Sequence, residues 1–312
     1  MYRHFFCIAI IFAAIGFTSC ETPYAETEDS VQNTDTGKQQ QDGNVTFTVN
    51  NFELLSFDKY FVKSRASVNA KEFCSRLTFS VYTDGIRVKS INQLMTEQGF
   101  GSVSMQLEPG TYTLVVIGYS GVGNATTTNI EKITFSGNHV SDTFWACQEF
   151  TVDNTKNIIP VELQRIVSCV MFDMSDEDIP EGLKCFKFYY TGGSSTLNGQ
   201  TGYGSVESNQ REELTLSKDS VLAIYTIPHY QTDYLDITLT AVDDNGVTIK
   251  EKRFPKVEIQ VNHISRYTGS FFSGNQDTDV DGSEIDVKGD NEWDGDTLHF
   301  EVKTLHTDEA EL

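Results

Sequence analysis

Leu235-Asp236-Ile237-Thr238-Leu239, followed by the turn pair Asn245-Gly246, decides the fold class. Apolar side chains at every second position share one face only if the backbone is extended. Asn-Gly then closes a hairpin at low conformational cost. The same alternation runs through Val45-Thr46-Phe47-Thr48-Val49, Leu77-Thr78-Phe79-Ser80-Val81, Val103-Ser104-Met105-Gln106-Leu107 and Tyr112-Thr113-Leu114-Val115-Val116. It returns in Ile133-Thr134-Phe135, Phe150-Thr151-Val152 and Leu214-Thr215-Leu216, and Asp84-Gly85 and Pro109-Gly110 punctuate the runs as turns. Only Lys89 to Gln98 fits a short helix, and a crossing loop fits it equally. The pattern predicts an all-β chain of sandwiches, not a parallel sheet with crossover helices.

Upstream of these strands the chain reads as an export signal. Arg3 and His4 precede an uncharged apolar run from Phe5 to Ile15, shorter than the about 20 residues a membrane-spanning helix needs. The run ends in Phe17-Thr18-Ser19-Cys20, where small residues precede a cysteine as in a bacterial lipoprotein box, although Phe17 replaces the usual leucine. Cys20 is the expected lipid-attachment residue; the alternative is an ordinary signal peptide with a chance cysteine. Acyl chains on Cys20 would hold the protein on a bilayer, each buried CH₂ contributing about 0.8 kcal/mol. Glu21 to Asn44 carries few large apolar side chains and reads as a flexible tether.

The body from residue 45 onward is long enough for two domains. The polar stretch Asn154-Thr155-Lys156-Asn157 predicts the boundary. The expected organisation is a lipoprotein signal over 1–19, a tether over 20–44, and β-sandwiches over 45–157 and 158–312. A net charge of −22 without a basic run argues against nucleic acid or anionic headgroups as partners. Beyond Cys7 and Cys20, the cysteines are Cys74, Cys147, Cys169 and Cys185. Cys169 and Cys185 lie equally far from residue 177, so a hairpin turning there would set them opposite each other as a disulfide. Strands in different sheets would instead leave four free thiols.

Few residues are spaced for reaction chemistry. His4, His139, His229, His263, His299 and His306 form no His-Glu-x-x-His or His-x-His pair. Gly118 to Gly123 has neither the spacing of a nucleophile elbow nor the ending of a phosphate loop, and reads as a turn. Gly192 to Gly204 is rich in small residues and lacks an acidic or cationic partner. Asp277-Thr278-Asp279-Val280-Asp281-Gly282 matches the first half of a calcium loop, making Asp277, Asp279 and Asp281 weak calcium candidates. Lys288 stands where the bidentate glutamate belongs, so a solvated acidic loop is the competing reading, with Glu284 or Asp286 left to complete an irregular site. No enzymatic activity and no cofactor are expected.

Several segments in order resemble a known family: Leu107-Glu108-Pro109-Gly110-Thr111-Tyr112-Thr113-Leu114-Val115-Val116 followed by the Gly118 turn, Asp142-Thr143-Phe144 through Phe150-Thr151-Val152, and the domain-joining Leu163-Gln164-Arg165-Ile166-Val167. Ser194-Ser195-Thr196-Leu197-Asn198, Thr201-Gly202-Tyr203-Gly204, Asn262 to Phe272 and Asp290-Asn291-Glu292-Trp293-Asp294-Gly295 continue the series. Together they resemble the fimbrial anchor and minor-subunit lipoproteins of Bacteroidales. The resemblance implies two consecutive transthyretin-like Greek-key sandwiches, lipid-anchored in the outer membrane, that support adhesion and bind fimbrial shaft and accessory subunits by β-strand complementation. Cys169 and Cys185 are not part of that family pattern. Cleavage at Lys59, Lys63 or Arg65 would sever an anchor from its lipid, so the strand near Val45 to Leu55 is expected to stay in place. The alternative is a surface glycan-binding lipoprotein of a polysaccharide-uptake system, for which Trp145, Trp293, Tyr189, Tyr190 and Tyr203 are the available aromatics.

Overall fold

The computed structural model describes residues 43–53, 70–176, 178–215, 221–272 and 297–300, whose regular structure is strand apart from two single-turn helices, Ala70–Glu72 and Ser136–Asn138. The first group comprises β1 (Val45–Glu53), β2 (Arg76–Thr83), β3 (Ile86–Leu94), β4 (Ser102–Met105), β5 (Gly110–Tyr119), β6 (Ile133–Thr134), β7 (Phe144–Val152) and β8 (Asn157–Arg165). All but β6 pair in the order β3-β2-β5-β7-β8-β1-β4. β7 and β8 share only the pairs Phe144–Arg165 and Trp145–Gln164, so the sheet folds over at that seam. Its two halves enclose one apolar cluster, with Phe47, Val49 and Phe52 from one side and Leu77, Phe79 and Leu114 from the other. Phe47 meets Phe150 edge to face at 5.1 Å, the geometry favoured by the ring quadrupoles.

The expected domain break at residue 157 needs correction. Asn157 opens β8, and β8 runs parallel to β1 from Val45–Asn157 to Glu53–Gln164. The polar residues before it form a strand connection, in which the Asp153 carboxylate accepts from the Thr155 backbone N–H at 2.8 Å. Such Asx turns need only local polar side chains, so polarity marked a turn and not a boundary. The two sandwiches part after Arg165.

The second sandwich contains β9 (Ser168–Met174), β10 (Leu183–Thr191), β11 (Thr196–Leu197), β12 (Gln210–Leu214), β13 (Val221–Thr226), β14 (Thr232–Asp243), β15 (Thr248–Gln260), β16 (Ile264–Gly269) and β17 (Thr297–Phe300). One sheet has the order β12-β10-β14-β15 and the other β13-β9-β16-β17. Val170 and Phe172 from the second sheet share a core with Phe186, Phe188, Leu239 and Phe254 from the first. The chain is thus all-β with consecutive sandwiches, as the period-two pattern predicts.

Four local expectations meet different outcomes. Asp84 and Gly85, at φ 51° and 77°, turn the β2–β3 hairpin, and Gly246, at φ 78°, turns the β14–β15 hairpin. Pro109-Gly110 closes no hairpin, because β4 pairs with β1 while β5 pairs with β2 and β7, on the other half of the folded sheet. Lys89 to Gln98 is not helical: β3 continues to Leu94 as an edge strand. Gln93 conceals that strand in the sequence, since it is a polar residue at a buried position. Its amide is satisfied by Gly99 O at 3.1 Å, Ser102 O at 2.8 Å and the Gly101 N–H at 2.9 Å.

A further layer covers the outer face of β2 and β5. Ser80, polar in the alternating pattern, is fully buried and bonds Thr127 Oγ1 at 2.7 Å, while the Tyr82 hydroxyl donates to Thr127 O at 2.5 Å. Val115, Ile117, Ile133 and Phe135 build an apolar cluster there with Ile166, Leu197 and Ile227. This layer carries the contact between the sandwiches.

Candidate functional site

The site that the fold builds most deliberately is the joint between the sandwiches. Asp142 precedes β7, Arg165 ends β8, and Asn262 occupies the turn between β15 and β16 at φ 61°. Arg165 Nε donates to Asp142 Oδ1 at 2.8 Å and Nη2 to Oδ2 at 3.0 Å, a bidentate pair. Nη1 donates to Asn262 Oδ1 at 3.1 Å, and the guanidinium lies 4.9 Å from the centre of the Phe144 ring. One planar cation therefore ties both bodies together, using the fork geometry that lysine lacks. Main-chain bonds reinforce it: Ile166 N–H to Thr143 O at 3.0 Å and Asn262 N–H to Val167 O at 2.9 Å.

The small-residue stretch Gly192 to Gly204 proves to be the strap of this joint. β11 pairs with β6 of the first body, and the Trp145 indole N–H donates to Gly199 O at 2.8 Å. A Cβ on Gly202, at φ 78°, would stand 2.9 Å from the Trp145 ring, so glycine is required for this close approach. Beside the strap, a cleft of about 170 Å³ is lined by Trp145, Gln164, Tyr203, Gln231 and Asn262. His139 of the first body also meets Glu212 of β12 at 2.9 Å, which raises the imidazole pKa mainly through that hydrogen bond.

The chemistry available at the joint is that of binding and holding. Cys169 is buried beside it, and desolvation pushes its thiol up to about 12, so it stays protonated and non-nucleophilic at neutral pH. Cys74 is likewise raised to about 12 by burial. Of the two readings of Cys169 and Cys185, a disulfide or free thiols, the structure has the second, with both thiols buried. They lie on β9 and β10, in different sheets, and on each strand the alternate residues Val170 and Phe172 or Phe186 and Phe188 face the shared core. The two cysteines therefore point away from the space between the sheets.

The aromatics weighed for glycan binding are dispersed. Tyr190 is fully buried, its neighbour Tyr189 lies on the outer face under the Arg211 guanidinium at 5.0 Å, and Tyr203 lines the cleft. Cys20, Asp277, Asp279, Asp281 and Trp293 lie outside the described residues. Among the described residues no group of three or more His, Cys, Asp or Glu is placed to hold a metal ion. The sequence marks Leu163-Gln164-Arg165-Ile166-Val167 as domain-joining through the family resemblance, but gives Asp142 and Asn262 no role. The available signal was Arg165 itself, a cation at an inward position of the alternating run Val161-Glu162-Leu163-Gln164-Arg165.

Residues 36–308 match the profile of a family of unknown function, DUF6562. The chain belongs to that family. No curated protein matches this DUF6562 member in sequence. Solved structures similar to it include a Bacteroides thetaiotaomicron protein provisionally named as polysaccharide-binding, with 8% identity, 66% of this chain and 78% of that one covered, and a TM-score of 0.42. The fimbrial anchor protein Mfa2 from Porphyromonas gingivalis is 12% identical over 66% of this chain and 80% of its own, with a TM-score of 0.37. A fimbrial assembly protein from Parabacteroides distasonis is 14% identical over 72% and 89%, with a TM-score of 0.34.

Proposed function

We propose that this DUF6562 protein is a lipid-anchored cell-surface fimbrial subunit, an anchor or accessory component that holds other subunits and supports adhesion without catalysing a reaction. The observation that carries the reading is the order of parts: an apolar run followed by Phe17-Thr18-Ser19-Cys20, a polar stretch, then two consecutive sandwiches. A thioether-linked lipid on Cys20 would place the body outside the outer membrane at the end of a polar leash.

Partner binding by strand complementation needs backbone edges. Among the described residues the edges of the three larger sheets are β3, β4, β12, β13, β15 and β17, and β6 and β11 form a two-stranded sheet of their own, whereas β1 lies between β8 and β4. Val45, Phe47 and Val49 of β1 are buried, which supports a first strand that stays in place and a polymer contact made elsewhere, at the C-terminal strands. Labelled palmitate should enter the wild-type chain and not Cys20→Ser, and protease applied to intact cells should digest the anchored body. A truncation lacking the C-terminal strands should capture shaft subunits more weakly; capture at full strength counts against that contact.

Glycan capture is the second reading, favoured by the aromatic and amide lining of the cleft around Trp145, Tyr203, Gln164 and Gln231. Calorimetric titration with an oligosaccharide panel distinguishes the two, since a fimbrial anchor should give no heat and a glycan receptor should saturate.

A further inference from the structure

Among the described residues β1–β8, β9–β16 and β16–β17 are parallel pairs, and β1–β8 is the one that joins the strand the tether enters to the strand that leaves for the second sandwich. β1 and β8 run parallel from Val45–Asn157 to Glu53–Gln164, so Val45 and Asn157 lie at one end of the ladder and Glu53 and Gln164 at the other. The tether enters β1 at the Val45 end, and the second sandwich leaves β8 at the Arg165 end. A pull between membrane and partner therefore draws the two strands past each other along their length.

We infer that β1 and β8 form a shear clamp that bears the load between the lipid anchor and the fimbrial partner, an inference that rests on the tethered reading above. In shear, every inter-strand hydrogen bond of the ladder must stretch together before any one fails. In unzipping, the bonds fail one at a time at low force. The evenly spaced, slanted bonds of a parallel pair suit collective loading.

Details of both strands fit that role. Val45, Phe47, Val49 and Phe52 of β1 are buried alongside Val161 and Leu163 of β8, so sliding must also drag apolar side chains through a packed core. Outside the core, Asn51 Nδ2 bonds Glu162 Oε1 at 2.6 Å across the pair. Pro160 of β8 turns its carbonyl away from β1, towards Gln148 Nε2 at 3.2 Å. Within an extended residue the N and C=O point the same way, so its missing N–H falls on the β7 side and takes no bond from the β1 ladder, whose one irregularity is a register shift between Val49 and Asn51. At the exit, the bidentate Arg165–Asp142 pair fastens the end of β8 to the first body.

Single-molecule pulling on the purified full mature chain tests this with one protein and two handle positions. The first geometry pulls from the N-terminus and the C-terminus and loads the ladder in shear. The second pulls from the N-terminus and from Lys156, at the Val45 end of β8, and peels the strands apart. Stability is the same in both, so only the direction of force differs. The expected result is a rupture force several-fold higher in the first geometry. Its rupture step should approach about 430 Å, the length of the roughly 120 residues from Val45 to Arg165 at up to about 3.6 Å each. Equal forces in the two geometries, or release of β1 at a lower force than the second sandwich, overturn the clamp. Because the pull acts on isolated protein, it can fail while the lipid-labelling and capture experiments succeed, and the reverse.

Discussion

Arg165 and Asp142 face each other through two parallel hydrogen bonds of 2.8 and 3.0 Å, and the same guanidinium reaches Asn262 of the second sandwich. The Arg165 side chain is only 6% exposed, so its charge has little water to fall back on. This relationship makes the seam a fastened joint, and the predictions begin from it.

Arg165→Ala should destabilise the protein by about 2 kcal/mol, less than for a fully buried ion pair because Asp142, left behind, is 27% exposed and can be hydrated. Arg165→Lys should recover only part of that, since an ammonium cannot bridge both carboxylate oxygens and Asn262 together. Urea unfolding at neutral pH measures both. Equal midpoints for wild type and Arg165→Ala would show that the joint contributes nothing.

Gly202→Ala should cost about 2 kcal/mol, combining a left-handed backbone with a methyl group pressed onto Trp145. In a Trp293→Phe background Trp145 becomes the single emitter, so its fluorescence should shift towards that of a water-exposed indole as the strap lifts. An unchanged spectrum with unchanged stability would contradict the close packing.

The His139–Glu212 contact should make stability weakly pH-dependent. The folded-state pKa of His139 is raised, so its contribution is fully present below the ordinary histidine value of about 6.5 and is lost as pH rises through the folded value. Because the His139 side chain is 53% exposed, solvent limits the effect to about 0.3 kcal/mol. His139→Asn should flatten that component of a stability profile taken between pH 5 and 8.

A soluble chain beginning at Glu21 should contain four thiols and no disulfide, from Cys74, Cys147, Cys169 and Cys185. Intact mass should not change on reduction. Alkylation of the native protein at neutral pH should mark half-buried Cys147 first and spare Cys74 and Cys169, whose thiols burial holds protonated. All four should react in denaturant.

Much of the architecture was legible because strand periodicity is a local property. Leu235-Asp236-Ile237-Thr238-Leu239 and Asn245-Gly246 predict the β14–β15 hairpin, and β14 and β15 pair antiparallel across that turn. Where the reading missed, a distant partner had changed the meaning of a residue. Buried Gln93 hid the end of β3 because Gly99, Gly101 and Ser102 satisfy its amide. Ser80 read as solvent-facing, yet Thr127 covers it across a loop crossing that no local pattern announces.

The sequence by itself determined that the chain is all-β, where many of its strands run, and that its charge is acid-rich, since side-chain alternation and composition are written residue by residue. Tertiary structure alone decided that β8 belongs with β1, that Cys169 and Cys185 turn away from each other, and that Asp142, Arg165 and Asn262 converge. Pairing between strands more than a hundred residues apart depends on which apolar faces can close over one another. That choice is made by the packed core as a whole and by no segment of it.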